Sequence, residues 1–232
     1  MKPTPSDIYY HGPVVVFDLD DTLFSEREHA LSAYREVCRM PDLCHPAVSR
    51  VAFEAMTTAL DEGRNPFDAL ANALEERGIA TVATTERRLA VYRGHRPASL
   101  TLYPDARRAL DLLRDAGVRC AVVTDGRSLT QRAKIEALGI ADRFHPADIR
   151  ISEETGHDKS DPDNFVDIVH HYPEASRFVY VGDNPAKDFD TPAMLGWDTY
   201  CLRAREGNIH PQPDTDLATT VDSLVDVAEN YI

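Results

Sequence analysis

Residues 14–24 read VVVFDLDDTLF, and the rest of the chain is organised around this stretch. Its first four residues are apolar and three are β-branched, which is typical of a parallel strand buried on both faces. Asp18 and Asp20 follow at once, with Asp21 and Thr22 beside them. Packing requires no acid at the end of an apolar strand, and burying an unpaired charge is costly. In open α/β sheets, ligands bind at the carboxyl ends of the strands.

The acids at this strand end therefore predict a reacting centre. We interpret Asp18 as a nucleophile and Asp20 as a general acid/base, with a divalent cation between them and a phosphate. The alternative without chemistry is an Asp-rich turn, which is common where a strand ends.

Composition and charge narrow the class of protein. A chain of 232 residues is long enough for one large domain, or for a core with an inserted subdomain. Its 43% hydrophobic and 28% charged residues are typical of a soluble globular protein. The net charge of −14 argues against nucleic-acid binding, and it means that an anionic substrate needs a local positive site. No apolar run has the length of a signal peptide or a membrane span, so we expect a cytoplasmic protein without a membrane partner.

The four cysteines predict no disulfide or zinc framework. Cys120 and Cys201 fall in predicted strands, where a free thiol behaves as a small hydrophobic residue. Cys38, Cys44 and His45 are possible metal ligands, but the spacings of zinc sites are absent. Free thiols are the favoured interpretation.

Two patterns of hydrophobic residues divide the chain. Apolar residues at helical spacing predict four helices in residues 25–99, over 26–39, 46–60, 66–78 and 85–92. After residue 100 the predicted elements alternate: strands over 118–124, 148–151, 178–181 and 197–202, and helices over 104–116, 128–138, 162–171 and 221–230, the last capped by Thr220. Such alternation implies βαβ units and a parallel sheet. Residues 203–216 are predicted to be a loop.

A second strand end carries the residues of a phosphate cradle. The apolar run before Thr124 is followed by Asp125, Gly126 and Arg127 and then by a predicted helix. In such a turn the hydroxyl of Thr124 donates to a phosphate, and backbone N–H groups near the helix start point at the anion. The alternative is an ordinary N-cap turn.

Lys159 is the predicted cation of the site. It lies in the loop SEETGHDKSDP, where its charge would offset both a nucleophilic carboxylate and a phosphate. Lys134 is the rival, but its position in the helical sequence QRAKIEALG favours a surface location.

A third strand end supplies further carboxylates. The run 178–181 leads into Gly182 and Asp183, and Asp188 follows five residues later. Oxygen ligands of this kind suit Mg²⁺, which prefers a few carboxylates, water and substrate phosphate. Asp188 would orient the metal ligands without binding the metal itself. The alternative is an ordinary acid at a helix start, where the helix dipole stabilises its negative charge.

These motifs, in this order, resemble those of the haloacid dehalogenase-like (HAD) superfamily, subfamily I with a helical cap. The family motif DxDxT corresponds to Asp18, Asp20 and Thr22. The family's strand-end Ser/Thr corresponds to Thr124, its lysine to Lys159, and its acidic motif to Gly182, Asp183 and Asp188. One departure is that Ser160 and Asp161 separate Lys159 from Pro162, whereas the family lysine is commonly followed by proline.

The resemblance implies a fold and an activity. The fold is α/β, with a doubly wound, Rossmann-like parallel core of residues 1–24 and 100–232 and an inserted all-helical cap domain of residues 25–99. The activity is that of a Mg²⁺-dependent phosphatase of a small phosphorylated metabolite, acting through an aspartyl-phosphate. The resemblance places Mg²⁺ between Asp18, the backbone carbonyl of Asp20, and Asp183, with Asp188 counted among the metal-site residues.

Charge assigns the catalytic roles within this activity. Asp18 attacks phosphorus, while Mg²⁺ and Lys159 offset the repulsion between the two anions. Asp20 protonates the leaving alkoxide and then takes a proton from the hydrolytic water. The two roles require different environments, so we expect an ionised Asp18 and a raised pKa for Asp20.

Three alternatives stay open at the level of sequence. A phosphomutase or phosphotransferase of the same superfamily would share every motif. A dehalogenase needs no Mg²⁺ and lacks the second acid, so Asp20 and Asp183 count against it. A non-catalytic phospho-ligand-binding module would not require Asp18, Asp20, Lys159 and Asp183 together.

The cap is the expected source of substrate selectivity, because the catalytic aspartates recognise only the phosphate. Arg93, His95 and Arg96 lie just before the chain returns to the core, and Arg127 lies on the facing core loop. These cations are the candidates to contact a polar or anionic leaving group. The alternative is that they are solvated cations near a helix C-terminus.

Overall fold

The protein is organised around one parallel sheet, seen in a computed structural model that describes residues 5–232. The sheet has six strands in the order β3-β2-β1-β4-β5-β6. The strands are β1 (Pro13–Phe17), β2 (Arg119–Thr124), β3 (Ile149–Ile151), β4 (Arg177–Gly182), β5 (Asp198–Leu202) and β6 (Thr219–Val221). Every pair of neighbouring strands is parallel. The predicted doubly wound α/β fold is confirmed.

Strand β1 is central and is buried on both faces, as its continuous apolar sequence predicts. Val15 and Phe17 pack on one face with the helices Pro104–Asp115 and Leu224–Glu229, whereas Val14 and Val16 pack on the other face with the helix Asp163–His171. The chain adds β2 and β3 on one side of β1 and β4 to β6 on the other. A crevice therefore opens at the carboxyl end of β1, which is where such sheets bind ligands.

Helices cover both faces of the sheet and fill the segment after β1. The helices are α1 (Pro5–Ile8), α2 (Glu26–Val37), α3 (Pro46–Asp61), α4 (Pro66–Glu75), α5 (Thr85–Arg93), α6 (Pro104–Asp115), α7 (Ser128–Leu138), α8 (Ser152–Thr155), α9 (Asp163–His171), α10 (Asp190–Met194) and α11 (Leu224–Glu229). Two short 3₁₀ turns, Ala141–Arg143 and Pro146–Asp148, precede β3. No helix within residues 5–232 is long and apolar enough to cross a membrane.

Helices α2 to α5 have an apolar core of their own, in which Tyr34, Met56 and Leu70 are fully buried. The Asn65 side chain accepts hydrogen bonds from the N–H groups of Phe67 and Asp68, so it caps α4 as its sequence predicts. The four predicted helices of this segment are therefore present. The division into domains at residues 24/25 and 99/100 stays a prediction.

The prediction for the C-terminal region is wrong in one respect. Residues 219–221 form β6, which pairs with β5, and helix α11 starts only at Leu224. The side chain that caps α11 belongs to Ser223, whose Oγ accepts from the N–H of Val225, and not to Thr220. Threonine and valine are β-branched and favour strands, so a free sheet edge overrides the helical pattern here.

Candidate active site

The polar strand ends meet around one cavity of about 140 Å³. The cavity lies at the carboxyl ends of β1, β2 and β4, as the fold requires. Its lining residues are polar or charged: Asp18, Asp20, Glu26, Thr124, Asp125, Lys159, Asp183, Asn184, Lys187, Asp188 and His210. The structure thus brings together five of the predicted core residues, Asp18, Asp20, Thr124, Lys159 and Asp183, from separate parts of the chain.

Lys159 lies between two buried acids. Its Nζ donates to Asp18 Oδ1 at 2.5 Å and to Asp188 Oδ1 at 2.7 Å, and all three side chains are almost fully buried. Burial lowers the pKa of Lys159, but the charges of Asp18 and Asp188 outweigh this and raise it well above its usual value. Lys159 is therefore a permanent cation next to the predicted nucleophile, in spite of the Ser160–Asp161 departure from the family pattern.

Three carboxylates converge at the cavity. Oxygen atoms of Asp18, Asp183 and Asp188 all lie within 4.8 Å of one another. Burial and the neighbouring acids raise the pKa of Asp183 to about 9, and burial raises that of Asp18 to about 7 in spite of Lys159. This mutual repulsion is what a divalent cation relieves, and hard oxygen ligands suit Mg²⁺. The donor set therefore fits the predicted metal.

Asp188 supports the other residues of this centre. Its Oδ2 accepts from the backbone N–H groups of Asp183 and Asn184 at 3.1 and 2.8 Å, and its Oδ1 accepts from Lys159. A Cβ at Gly182 would lie 2.3 Å from Asp188 Oδ2, so glycine is required for this approach. These bonds explain why the second acid of the motif follows the first by five residues.

The prediction that Lys134 lies on the surface is wrong. Lys134 is 4% exposed, and its Nζ donates to Asp20 Oδ1 and Oδ2 at 2.7 and 2.8 Å. Gln131, on the same helix, donates to Asp20 Oδ2 at 2.9 Å. Helix α7 thus directs a buried face at the strand end of β1, and a helical sequence alone does not reveal which face this is.

The expected raised pKa of Asp20 is also corrected. Burial by itself raises the pKa of Asp20, but the charge and hydrogen bonds of Lys134 and the hydrogen bond from Gln131 together hold it below its usual value. The pKa of Asp18, by contrast, is the raised one. The two aspartates do have different environments, but the raised pKa belongs to Asp18 and the lowered one to Asp20, the reverse of the prediction.

The loop after β2 forms hydrogen bonds to neighbouring segments that the sequence did not predict. The buried hydroxyl of Thr124 accepts from Gln131 Nε2 at 2.7 Å, and Asp125 Oδ1 accepts from the N–H of Lys159 at 3.1 Å. The N–H of Gly126, however, donates to Ser152 Oγ at 2.9 Å. The predicted role of this N–H as a phosphate donor is therefore not available in this arrangement, because the start of α8 packs against the loop.

The predicted selectivity residues do not line the cavity. Arg127 pairs with exposed Glu153, at 3.6 Å between Nη1 and Oε1. His95 contacts Ser32 Oγ at 2.8 Å, and His95 and Arg96 line a separate groove between α2 and α5. The carbonyl of Arg93 accepts from Thr130 Oγ1, which joins α5 to α7. None of these four cations lines the cavity in this arrangement, and their contact with a leaving group stays a prediction.

The loop of residues 203–216 contributes to the site, and sequence reasoning missed it. Asn208 Nδ2 donates to Asp183 Oδ2 at 3.2 Å, and Gln212 Nε2 donates to the carbonyl of Asp183 at 2.7 Å. His210 lines the cavity and lies 3.5 Å from Glu26 of α2, which raises the pKa of His210. Amide side chains in a proline-containing loop give no signal of such contacts.

Asp21 explains how this loop is held over the cavity. Asp21 lies in the tight turn after β1. Among the non-glycine residues of the range 5–232, it is the one with a positive φ, of 53°. Its Oδ1 accepts from the N–H of Glu26 at the start of α2, and its Oδ2 accepts from the N–H of Ile209. One side chain thereby ties the turn, the first helix of the inserted segment and the loop together.

Comparisons with known proteins agree with this arrangement. The family model of the haloacid dehalogenase-like hydrolases matches residues 13–196, and the chain belongs to this family. It is 30% identical over 230 residues to the glyceraldehyde 3-phosphate phosphatase of Methanocaldococcus jannaschii, covering 93% of this chain and 96% of that protein. It is 36% identical over 144 residues to a phosphoserine phosphatase of Thermus thermophilus, covering 60% and 56% of the two chains.

Solved structures share the fold. The HAD-hydrolase YfnB from Bacillus subtilis, bound to magnesium, matches with a TM-score of 0.65 at 19% identity and covers 96% of this chain and 99% of its own. The L-2-haloacid dehalogenase RSc1362 matches with a TM-score of 0.59 at 18% identity, with the same two coverages. The predictions of superfamily, fold and hydrolase class are confirmed.

Proposed function

We propose that this hydrolase is a Mg²⁺-dependent phosphatase that cleaves a small phosphorylated metabolite through an aspartyl-phosphate at Asp18. The observation that carries the proposal is the buried group of Asp18, Lys159 and Asp188, since it places a candidate nucleophile beside a fixed cation at a solvent-open cavity. The names of the curated relatives, two glyceraldehyde 3-phosphate phosphatases and a phosphoserine phosphatase, support a phosphate ester as the substrate.

The proposed metal site consists of Asp18, Asp183 and the backbone carbonyl of Asp20, with Asp188 behind them. A bound Mg²⁺ would supply charge that neutralises the phosphate oxygens and the carboxylates together. The side chain of Asp20 is held by Lys134, and its carbonyl is included because the family resemblance implies it. The predicted cytoplasmic location and the absence of a nucleic-acid partner stay predictions.

The residues of the chain divide the reaction into two steps. In the first, an oxygen of Asp18 bonds to phosphorus, the bond to the leaving oxygen breaks, and that oxygen takes a proton from Asp20. Lys159 stabilises the negative charge on the phosphoryl group during this step. Thr124 accepts from Gln131, so its own hydrogen is left for a phosphate oxygen. In the second, water bonds to phosphorus, the bond to Asp18 breaks, and Asp20 accepts the proton of that water.

The test is release of phosphate from p-nitrophenyl phosphate, followed by a panel of phosphorylated sugars, polyols and small acids. We expect activity that a chelator abolishes and Mg²⁺ restores. Asp183→Asn should increase the Mg²⁺ requirement more than Asp188→Asn, because Asp188 already accepts three hydrogen bonds from the protein. Full activity in chelator, or no phosphate release from any ester, would overturn the proposal.

A phosphomutase is the second candidate, since it would use the same residues. The panel separates the two, because a mutase would transfer the phosphoryl group to a second hydroxyl instead of releasing inorganic phosphate. The named phosphatase relatives favour release.

A further inference from the structure

Lys134 is a buried cation that packing does not explain. Its side chain is 5% exposed, and burying an ammonium group is costly unless it is paired. Its Nζ lies 5.9 Å from the centre of the Phe24 ring. Its partner is Asp20, which is 114 residues away in sequence. The role of Lys134 is therefore to pair with Asp20.

Gln131 completes this arrangement from the preceding turn of α7. Its Nε2 donates to Asp20 Oδ2 at 2.9 Å and to Thr124 Oγ1 at 2.7 Å, so both amide hydrogens are used. One side chain thereby fixes the position of Asp20 relative to the loop predicted to bind phosphate. Gly126 leaves room for it, because a Cβ there would lie 3.3 Å from the Gln131 side chain.

The Asp20 carboxylate can accept one hydrogen bond more than it receives from the protein. A carboxylate accepts about four hydrogen bonds, two on each oxygen. Oδ2 accepts from both Lys134 and Gln131, whereas Oδ1 accepts from Lys134 alone. The side chain of Asp20 lines the cavity and is 19% exposed. Three hydrogen bonds from two donor groups thus hold the Asp20 carboxylate, and the position left to accept a proton is on Oδ1.

We infer that Lys134 and Gln131 are positioning residues, which orient Asp20 Oδ1 to accept the proton of the water that hydrolyses the aspartyl-phosphate. This inference rests on the proposed function. In the step concerned, the water oxygen bonds to phosphorus, the phosphorus–oxygen bond to Asp18 breaks with its electron pair returning to the carboxylate, and the water proton passes to Asp20. Inorganic phosphate is the product.

The test separates the two steps with p-nitrophenyl phosphate, whose leaving group departs without protonation. In Lys134→Met, rapid mixing should show a burst of about one nitrophenolate per enzyme at a rate near that of the wild type. Steady-state turnover should fall by about 100-fold, the usual loss of a general base. Phosphorylated enzyme should accumulate. Asp20→Asn should behave in the same way, and the double variant should lose no more than Asp20→Asn alone.

A matched variant controls for loss of charge on α7. Arg132→Met removes a neighbouring cation that pairs with Glu154, and it should keep both steps unchanged. Lys134→Arg should restore part of the turnover, because it keeps a donor pair for the carboxylate. The burst itself shows that the variant is folded.

Three results would overturn the inference. They are an unchanged turnover of Lys134→Met, an equal loss in burst and steady state, and the same loss in Arg132→Met. If instead neither the wild type nor Lys134→Met forms phosphorylated enzyme while phosphate is released from p-nitrophenyl phosphate, the proposed function fails and the inference fails with it. The two failures are therefore distinguishable.

Discussion

Replacing Lys159 by methionine tests the charge arrangement of the site through folding stability as well as activity. Lys159 is paired with Asp18 and Asp188 at 2.5 and 2.7 Å, and all three side chains are almost fully buried. In Lys159→Met the acids lose this cation while they stay buried. Removing one partner of a buried pair costs roughly 3–5 kcal/mol, because the other charge is left uncompensated.

The size of this loss should depend on pH. Burial raises the pKa of Asp18 to about 7 with Lys159 present, and removing the lysine raises it further. At about pH 8 the ionised acids need the cation, so the free energy of unfolding should fall by roughly 3 kcal/mol or more. At about pH 5 the Asp18 carboxyl group is protonated, and the deficit should shrink by roughly 1.4 kcal/mol for each pH unit over which this group titrates.

Urea unfolding of metal-free protein at both pH values measures this deficit. Lys187→Met is the matched control, since Lys187 lines the same cavity but is exposed, and it should change stability by less than about 0.5 kcal/mol. Added Mg²⁺ should restore part of the stability of Lys159→Met. Equal stability of Lys159→Met and wild type at the higher pH, or a deficit that does not shrink in acid, would refute the reasoning.

Two further predictions concern the metal. Because the pKa values of Asp18 and Asp183 are raised to about 7 and about 9, the folded protein binds more protons than the unfolded chain, so metal-free stability should fall as pH rises from about 4 to about 9. Mg²⁺ binding near neutral pH should therefore release protons. Calorimetry in two buffers of different ionisation enthalpy measures the number of protons released. Binding without proton release would contradict these pKa shifts. Asn208→Ala removes the donor to Asp183, so it should raise the Mg²⁺ concentration for half-maximal activity by about 10-fold. The control Asn72→Ala, at an exposed position, should leave this concentration unchanged. Equal values for the two variants would exclude this role of the loop.

The fold was predictable because local and global signals agree around β1. An apolar run that ends in acids, followed by regular alternation of helices and strands, leaves few topologies other than a parallel sheet. Asp18, Lys159 and Asp183 were predictable for the same reason: each stands at a strand end or in the loop that adjoins one, where the sheet itself brings side chains together. Their place in a resembling family reinforced the prediction.

The residues that sequence reasoning missed owe their roles to contacts between distant segments. Lys134 lies in a helix of ordinary pattern, and only the packing of α7 against the end of β1 makes it a partner of Asp20. Asn208 and Gln212 reach Asp183 from a loop that has no periodicity. The sense of the pKa shifts of Asp18 and Asp20 follows from these same contacts, so motif spacing predicted that the two acids differ but not which one is raised.

The proposed mechanism requires Asp18 to carry the phosphoryl group during turnover. The most direct measurement is acid quenching of the enzyme during turnover of p-nitrophenyl phosphate, borohydride reduction of the acyl phosphate, and peptide mass spectrometry. We expect homoserine at position 18 in the wild type, more of it in Lys134→Met, and none in Asp18→Asn. Reduction at another residue, or turnover without any reduced residue in either enzyme, would contradict the account.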